Sequence, residues 1–180
     1  MKITLVRHTS VDVLPGTCYG QSDVALAPTF MTEAAKVAHN LEGLHFDMAF
    51  TSPLSRCTRL AEYCGYGNAL RDSRLMEMNF GEWEMMRYDE ITDPLIEEWY
   101  ADYVNVAPRG GESFMDQHRR VADFFRSLRG ARARSAIIFT HGGVMAHAML
   151  LSGEASLENL FSKQPRYGEI IEIELSSLTL

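Results

Sequence analysis

The chain reads as an α/β protein: a three-layer α/β/α arrangement with a mainly parallel central sheet. Three observations predict it. Lys2–Val6, Phe46–Thr51 and Ser135–Thr140 are short, apolar and rich in β-branched or aromatic residues, as strands buried on both faces should be. Each is followed by a helix signature, so that strands and helices alternate along the chain. No repeat, low-complexity tract or linker divides residues 1–180, so one domain is expected over the whole length.

Taken in order, Lys2–Val6 is the first strand. A loop with Pro15, Gly16 and Gly20 leads to a helix over Pro28–Leu41 that ends before Gly43. After the Phe46–Thr51 strand, Ser52 is expected to be an N-cap and Pro53 the first helical residue. Leu54, Cys57, Ala61 and Cys64 then share one helical face, with Arg56 and Arg59 turned elsewhere. Ala69–Pro108 has the weakest periodicity; a short strand, a loop around Glu77 and one helix containing Trp99 are expected there. From Glu112 to Leu128, the residues Phe114, His118, Val121, Phe125 and Leu128 recur at alternating spacings of four and three, which predicts an amphipathic helix. Ser135–Thr140 is a buried strand, Gly142-Gly143 opens a helix through Leu151, and Glu169–Leu175 alternates as a strand near an edge would.

With 46% hydrophobic and 23% charged residues, the composition is that of an ordinary globular protein. A formal net charge of −7 argues against general affinity for nucleic acid or anionic membranes. An anionic substrate must therefore be met by a local basic pocket. Cys18, Cys57 and Cys64 form no disulfide or zinc framework and read as reduced thiols. The N-terminal Met1–Val6 run is too short for a signal segment and no apolar run could span a bilayer, so a cytoplasmic protein is expected. A homodimer is left open.

In parallel sheets, ligands sit beyond the carboxyl ends of the strands. Arg7 and His8, the Ser52–Arg56 segment and His141 are all predicted to lie there. Two histidines, two arginines and an acid make a kit for phosphoryl transfer without a metal or cofactor: arginine forks hold the dianion, a histidine attacks phosphorus, and an acid protonates the departing oxygen. Nearby arginines disfavour an imidazolium and help keep His8 a neutral nucleophile. Arg56 falls in the first turn of its helix, where a phosphate is favoured but an arginine is not unless an anion compensates. Glu77 precedes Phe80-Gly81-Glu82-Trp83, a bulky loop suited to shelter an acid, while Glu82 and Glu84 are rivals by composition. His141, at the Gly142-Gly143 helix entry, is expected to donate to a phosphate oxygen beside a nest of backbone amides. His39, His45, His118 and His147 are expected in core or surface roles and Arg59 as a solvated charge. The sequence has no close His-x-x-x-His or Asp-x-Asp ligand pair, so no metal is expected.

Leu5-Val6-Arg7-His8, Gly20-Gln21-Ser22-Asp23-Val24-Ala25-Leu26, Ser52-Pro53-Leu54-Ser55-Arg56, Glu77-x-x-Phe80-Gly81-x-Trp83-Glu84 and Thr140-His141-Gly142-Gly143 together resemble the histidine phosphatase superfamily, the phosphoglycerate-mutase-like proteins. The resemblance covers nearly the whole chain. It implies that His8 becomes phosphohistidine, that Arg7, Arg56 and His141 bind the phosphoryl group with Gly142 beside them, and that Glu77 protonates the leaving group. It also implies that Tyr19, Gly20 and Gln21 border the substrate and that Glu112, in a Gly-Glu-Ser segment, supports the site indirectly. Thr9 stands where glycine usually follows Arg-His, Leu14 near a frequent phosphate-contacting asparagine, Met85-Met86 at a common glycine and Leu60 at a frequent threonine. The short chain favours a phosphatase over the longer cofactor-dependent mutases. The Cys18–Asp23 loop is most similar to that of bacterial α-ribazole phosphatases, which act late in cobalamin assembly. The expected function is a metal-independent phosphomonoesterase acting on a small phosphorylated metabolite. A sugar-phosphate or broad-specificity phosphatase, a mutase, and a non-catalytic phospholigand-binding module are the alternatives.

Overall fold

A computed structural model describes all 180 residues. Five strands, β1 (Lys2–Arg7), β2 (Met48–Thr51), β3 (Leu70–Arg71), β4 (Ser135–Thr140) and β5 (Ile170–Glu174), form one sheet in the order β3-β2-β4-β1-β5. The first four pair in parallel and β5 closes the edge antiparallel to β1. The helices are α1 (Phe30–Asn40), α2 (Ser55–Tyr63), α3 (Leu95–Ala101), α4 (Phe114–Leu128) and α5 (Gly142–Ser152).

The pleat distributes side chains to two separate cores. On one face Ile3, Leu5, Ala136 and Ile138 pack against Val121, Phe125 and Leu128 of α4 and Val144, Met145 and Ala148 of α5. On the other, Val6, Ile137 and Phe139 meet Ala34 and Val37 of α1 and Cys57, Leu60 and Ala61 of α2. Helices therefore cover both faces of the sheet, the three layers expected. Each such buried aliphatic or aromatic side chain contributes about 1.5–3 kcal/mol. Leu60 is fully buried in this second core.

Helix α2 starts later than the sequence suggests. Leu54 is extended at its N-cap and Ser52 offers only a 3.4 Å contact to the Leu54 amide. The first-turn amide of Ser55 is instead capped from a distant loop, by Asp23 Oδ1 at 2.8 Å. A long-range acceptor thus replaces the local Ser-Pro cap. β2 likewise begins at Met48 rather than Phe46, which packs beside Tyr66. α4 is introduced by a reciprocal capping box between Ser113 and Asp116.

The region of weak periodicity holds β3, three short 3-10 turns and α3. Its folding is driven by a small core of its own, Cys18, Trp83, Ile91 and Ile96, against which Phe80, Tyr88 and Trp99 pack. Gly81 has φ +56, and a Cβ there would lie 2.0 Å from the Arg109 carbonyl, so the tight turn after Phe80 requires glycine. Nearby Met85 has φ 68, the one non-glycine residue in the left-handed region. The backbone there pairs with Cys18 in both directions, through Met85 N to Cys18 O and Cys18 N to Met86 O. A glycine position is thus occupied by a residue that adopts its conformation at a cost. Because the Met85 side chain is 53% exposed, little packing offsets that cost. Met85→Gly is expected to stabilise the fold by about 1 kcal/mol, measured by urea unfolding; a destabilised variant would contradict this account of the turn.

Candidate active site

The ladder of β1, β4 and β2 continues one residue past the strands. His8 N donates to Thr140 O and Ser52 N to Phe139 O, both at 2.9 Å. This sets His8, His141 and Ser52 side by side at the carboxyl edge, with the two imidazole rings 5.2 Å apart in an edge arrangement.

His8 is 2% exposed. Its Nδ1 lies 2.7 Å from the Thr9 carbonyl, which can only accept, so Nδ1 carries the hydrogen and Nε2 keeps a free lone pair. Burial, followed by the charges of Arg56 and Arg7, lowers its pKa to about 3, against the opposing hydrogen bond to Thr9. A neutral, oriented imidazole is the form a nucleophile requires.

Arg56 is fully buried and has no carboxylate partner. Nη1 donates to Ser22 O at 2.9 Å, Nη2 to Gly20 O, and Nε to His141 Nδ1 at 3.3 Å. Arg7 donates from Nη1 to Pro165 O while its buried Nε has no partner, and its guanidinium lies 4.3 Å from the Tyr167 ring centre. Two cations without carboxylate partners beside a neutral nucleophile make a place for a dianion. Across it, Tyr19 and Tyr167 join hydroxyls at 2.6 Å.

His141 differs from the expectation. Its Nδ1 accepts from Arg56 Nε, which leaves Nε2 to donate to Ser52 Oγ at 2.8 Å. Both ring nitrogens are thus engaged with protein, and the N–H is turned to Ser52. Burial first, then Arg56, His8, Arg120 and Arg7, holds the ring well below its ordinary pKa. The helix-entry amides differ too: Gly143 N donates to Glu77 Oε2 at 3.0 Å. A Cβ on Gly142 would sit 3.0 Å from Arg7 Cζ, so this glycine lets α5 approach the arginine.

The three rival carboxylates separate by their partners. Glu84 accepts four backbone amides, those of Gly20, Gln21, Ser22 and Phe80. Burial pushes its carboxyl up, but the hydrogen bonds from Ser22, Gly20 and Gln21 outweigh this and hold it below the usual range. Glu84 is a staple of the loop. Glu82 is exposed. Glu77 lines the cavity and accepts from Gln117 Nε2 and Met78 N on Oε1 and from Gly143 N on Oε2, each at 3.0 Å. Its backbone is clamped by Gln21 Nε2 and by Arg120, which also pairs with Glu112. Glu112 in turn accepts the Asn79 amide at 2.8 Å, so it braces the Glu77 loop.

The cavity has a volume of about 290 Å³ and is lined by Arg7, His8, Tyr19 and Glu77 from the sequence reading. Arg56, His141, Gly142, Gly20 and Gln21, also expected at the substrate, do not line it; Arg56 and His141 are fully buried at the sheet edge beside His8. Gly20 supplies the carbonyl for Arg56 and has no room for a side chain, since a Cβ would lie 1.7 Å from Met78 O. Leu14 is 69% exposed and away from the cavity, whereas Thr17 contributes to its wall. Phe80, from the loop expected to shelter Glu77, is part of the wall; most of the rest was not anticipated: Tyr88, Trp99, Tyr103, Phe114 and Phe161. These come mainly from segments without a repeating pattern. Gln117 carried a usable signal, as a polar residue next to the apolar stripe of α4.

Because His8, His141 and His147 are buried neutral, unfolding lets them bind protons at the ordinary value near 6.5. Their folded pKa values are depressed, so the stability they contribute is complete above about pH 6.5 and is lost as pH falls toward the folded values. The unfolding free energy should therefore decline between about pH 6.5 and 5, before most carboxylates titrate, and His8→Asn should make that decline shallower. An unchanged slope in His8→Asn would contradict the buried neutral assignment.

The profile of the Histidine phosphatase superfamily (branch 1) matches residues 3–177. The adenosylcobalamin/alpha-ribazole phosphatase of Salmonella typhimurium is 30% identical over 158 residues, covering 81% of this chain and 76% of the relative. The 2,3-bisphosphoglycerate-dependent phosphoglycerate mutase of Mesorhizobium japonicum is 31% identical over 176 residues, covering 87% and 84%. In fold, the crystal structure of the alpha-ribazole phosphatase from Shigella flexneri superposes with a TM-score of 0.87 at 23% identity, covering 97% of this chain and 90% of that one. With Arg7, His8, Arg56, Glu77 and His141 gathered at one sheet edge, the chain belongs to the histidine phosphatase superfamily, branch 1, and is a phosphoric monoester hydrolase.

Proposed function

We propose that the protein is a metal-independent phosphomonoesterase that works through phosphohistidine at His8. Its substrate in this reading is a small alkyl phosphate ester whose alcohol carries an aromatic ring, α-ribazole 5′-phosphate being the compound of that class named for its relatives. The observation that carries the chemistry is the His8 tautomer: Nδ1–H is fixed on Thr9 O, and the lone pair of Nε2 is free beside Arg7 and Arg56. Those cations suit a phosphate dianion and repel a metal ion.

In the first step Nε2 attacks phosphorus, the ester P–O bond breaks, and the leaving oxygen takes a proton from Glu77. The phosphoimidazolium keeps its Nδ1–H on the Thr9 carbonyl, which stabilises the positive ring. In the second step water attacks phosphorus, Glu77 takes its proton, the N–P bond breaks, and phosphate leaves with His8 neutral again. His141 acts here by orienting Arg56 through Nδ1. This differs from direct donation to phosphate, because its N–H faces Ser52.

The cavity walls support the leaving-group assignment. Arg7 is the one cationic side chain among the lining residues and Glu77 the one carboxylate, while aromatic rings make up much of the rest. A phosphoglycerate or bisphosphate would bring a second anion against walls with no cation to receive it. A benzimidazole-type ring would stack instead, each favourable aromatic contact being worth about 0.5–1.5 kcal/mol beyond its area. One or two such contacts amount to about tenfold in kcat/KM. The test is turnover of α-ribazole 5′-phosphate against 3-phosphoglycerate and phosphoserine, together with acid quenching of the labelled enzyme. A preference of at least about tenfold for the ribazole ester and alkali-stable, acid-labile label that is absent from His8→Ala are expected. Preference for phosphoglycerate, or label retained in His8→Ala, would overturn the assignment.

A further inference from the structure

Two buried polar side chains in otherwise apolar surroundings remain unexplained by the chemistry above. Gln117 on α4 is 1% exposed and His147 on α5 is 0% exposed. They join Glu77 to the half-buried His118 in an unbroken series: Glu77 Oε1 to Gln117 Nε2 at 3.0 Å, Gln117 Oε1 to His147 Nε2 at 3.1 Å, and His147 Nδ1 to His118 Nδ1 at 3.3 Å.

The direction of the series follows from its end. A carboxylate oxygen only accepts, so Gln117 presents its NH₂ to Glu77 and its carbonyl to His147. His147 must then donate from Nε2, which leaves its Nδ1 bare, and His118 must donate to it from Nδ1. Every link therefore points its hydrogen toward Glu77. Burial, and then the charges of His118 and Arg120, keep His147 well below its ordinary pKa, while burial alone lowers that of His118. The neutral tautomers required by this order are thus the favoured ones.

The consequence falls on the two oxygens of Glu77 unequally. Oε1 already accepts two hydrogens, from Gln117 Nε2 and Met78 N, and has no lone pair left for a proton. Oε2 accepts only Gly143 N. We propose that Gln117 and His147 are positioning residues that, by filling Oε1, confine the transferable proton of Glu77 to Oε2. The inference rests on Glu77 being the leaving-group acid. A purely packing role would be met as well by leucine and phenylalanine, without burying an amide and an imidazole.

The experiment compares Gln117→Leu, His147→Phe and His147→Gln on two substrates: an alkyl phosphate ester that the wild type turns over, and p-nitrophenyl phosphate followed by single-turnover nitrophenolate release. An alkoxide must be protonated as it leaves, whereas nitrophenolate need not be. Gln117→Leu and His147→Phe should lose about tenfold in kcat on the alkyl ester, a part of the ~10²–10⁴-fold that a general acid supplies, with KM nearly unchanged. Nitrophenolate release should stay within about twofold of wild type on the same grounds. His147→Gln, whose amide can still donate, should recover most of the alkyl-ester rate. Equal losses on the two substrates, or no loss in Gln117→Leu, would overturn the proposal. Glu77→Gln measured alongside separates the two levels. If it shows the leaving-group-dependent loss and Gln117→Leu does not, only the positioning role falls; if Glu77→Gln shows none, the acid assignment falls with it.

Discussion

A guanidinium buried without a carboxylate beside it is the constraint on which the rest of this site depends. Arg56 stands in the first turn of α2, where the helix dipole is itself positive, and is fully buried. What it touches is neutral: the carbonyls of Gly20 and Ser22 and the bare nitrogen of His141. Several features follow from holding that charge in place. The loop that supplies the carbonyls is pinned from its other side by Glu84, which accepts its amides. The same loop caps the start of α2 through Asp23. His141 is fixed in the tautomer that can accept from an arginine. His8, second only to the effect of its own burial, is kept neutral by the Arg56 charge. In the proposed function, the missing negative charge arrives with the phosphoryl group.

Two carboxylates of similar sequence context take different parts because their surroundings differ. Glu84 is saturated by four backbone amides and is held ionised as a structural anion. Glu77 faces the cavity, with one oxygen filled and the other bonded only to the first amides of α5 through Gly143. Gly143 must be glycine for this approach, since a Cβ would lie 2.1 Å from Glu77 Oε1. Tight helix entry and carboxyl placement are therefore one packing problem.

The layers and the strand edge were legible because each rests on local pattern: apolar runs for β1, β2 and β4, with His8, the Ser52–Arg56 segment and His141 directly after them. The edge position of β5 was legible in the alternation of residues 169–175, whereas its antiparallel direction was not. Less legible were features made by distant partners. Asp23 capping α2, His141 turned to Ser52, and Gly20 serving Arg56 rather than the substrate all depend on contacts more than thirty residues apart in sequence. The aromatic wall was hidden for a related reason. Tyr88, Trp99 and Tyr103 lie in a segment held by its own small core and 3-10 turns, which leave no regular spacing to read. Gln117 and His147 were visible as polar residues among apolar ones, but their partner across the α4–α5 contact was not.

The most direct test of this account is whether the site requires its dianion through Arg56. Orthovanadate, a phosphate mimic able to become five-coordinate, should raise the thermal unfolding midpoint of the wild type in a concentration-dependent way, as any ligand bound only by the folded state must. It should do the same for Glu77→Gln, which retains both arginines. For an Arg56→Met variant with native circular dichroism the shift should vanish. A vanadate-induced shift of wild-type size in Arg56→Met would contradict the claim that the buried arginine is held for the phosphoryl group.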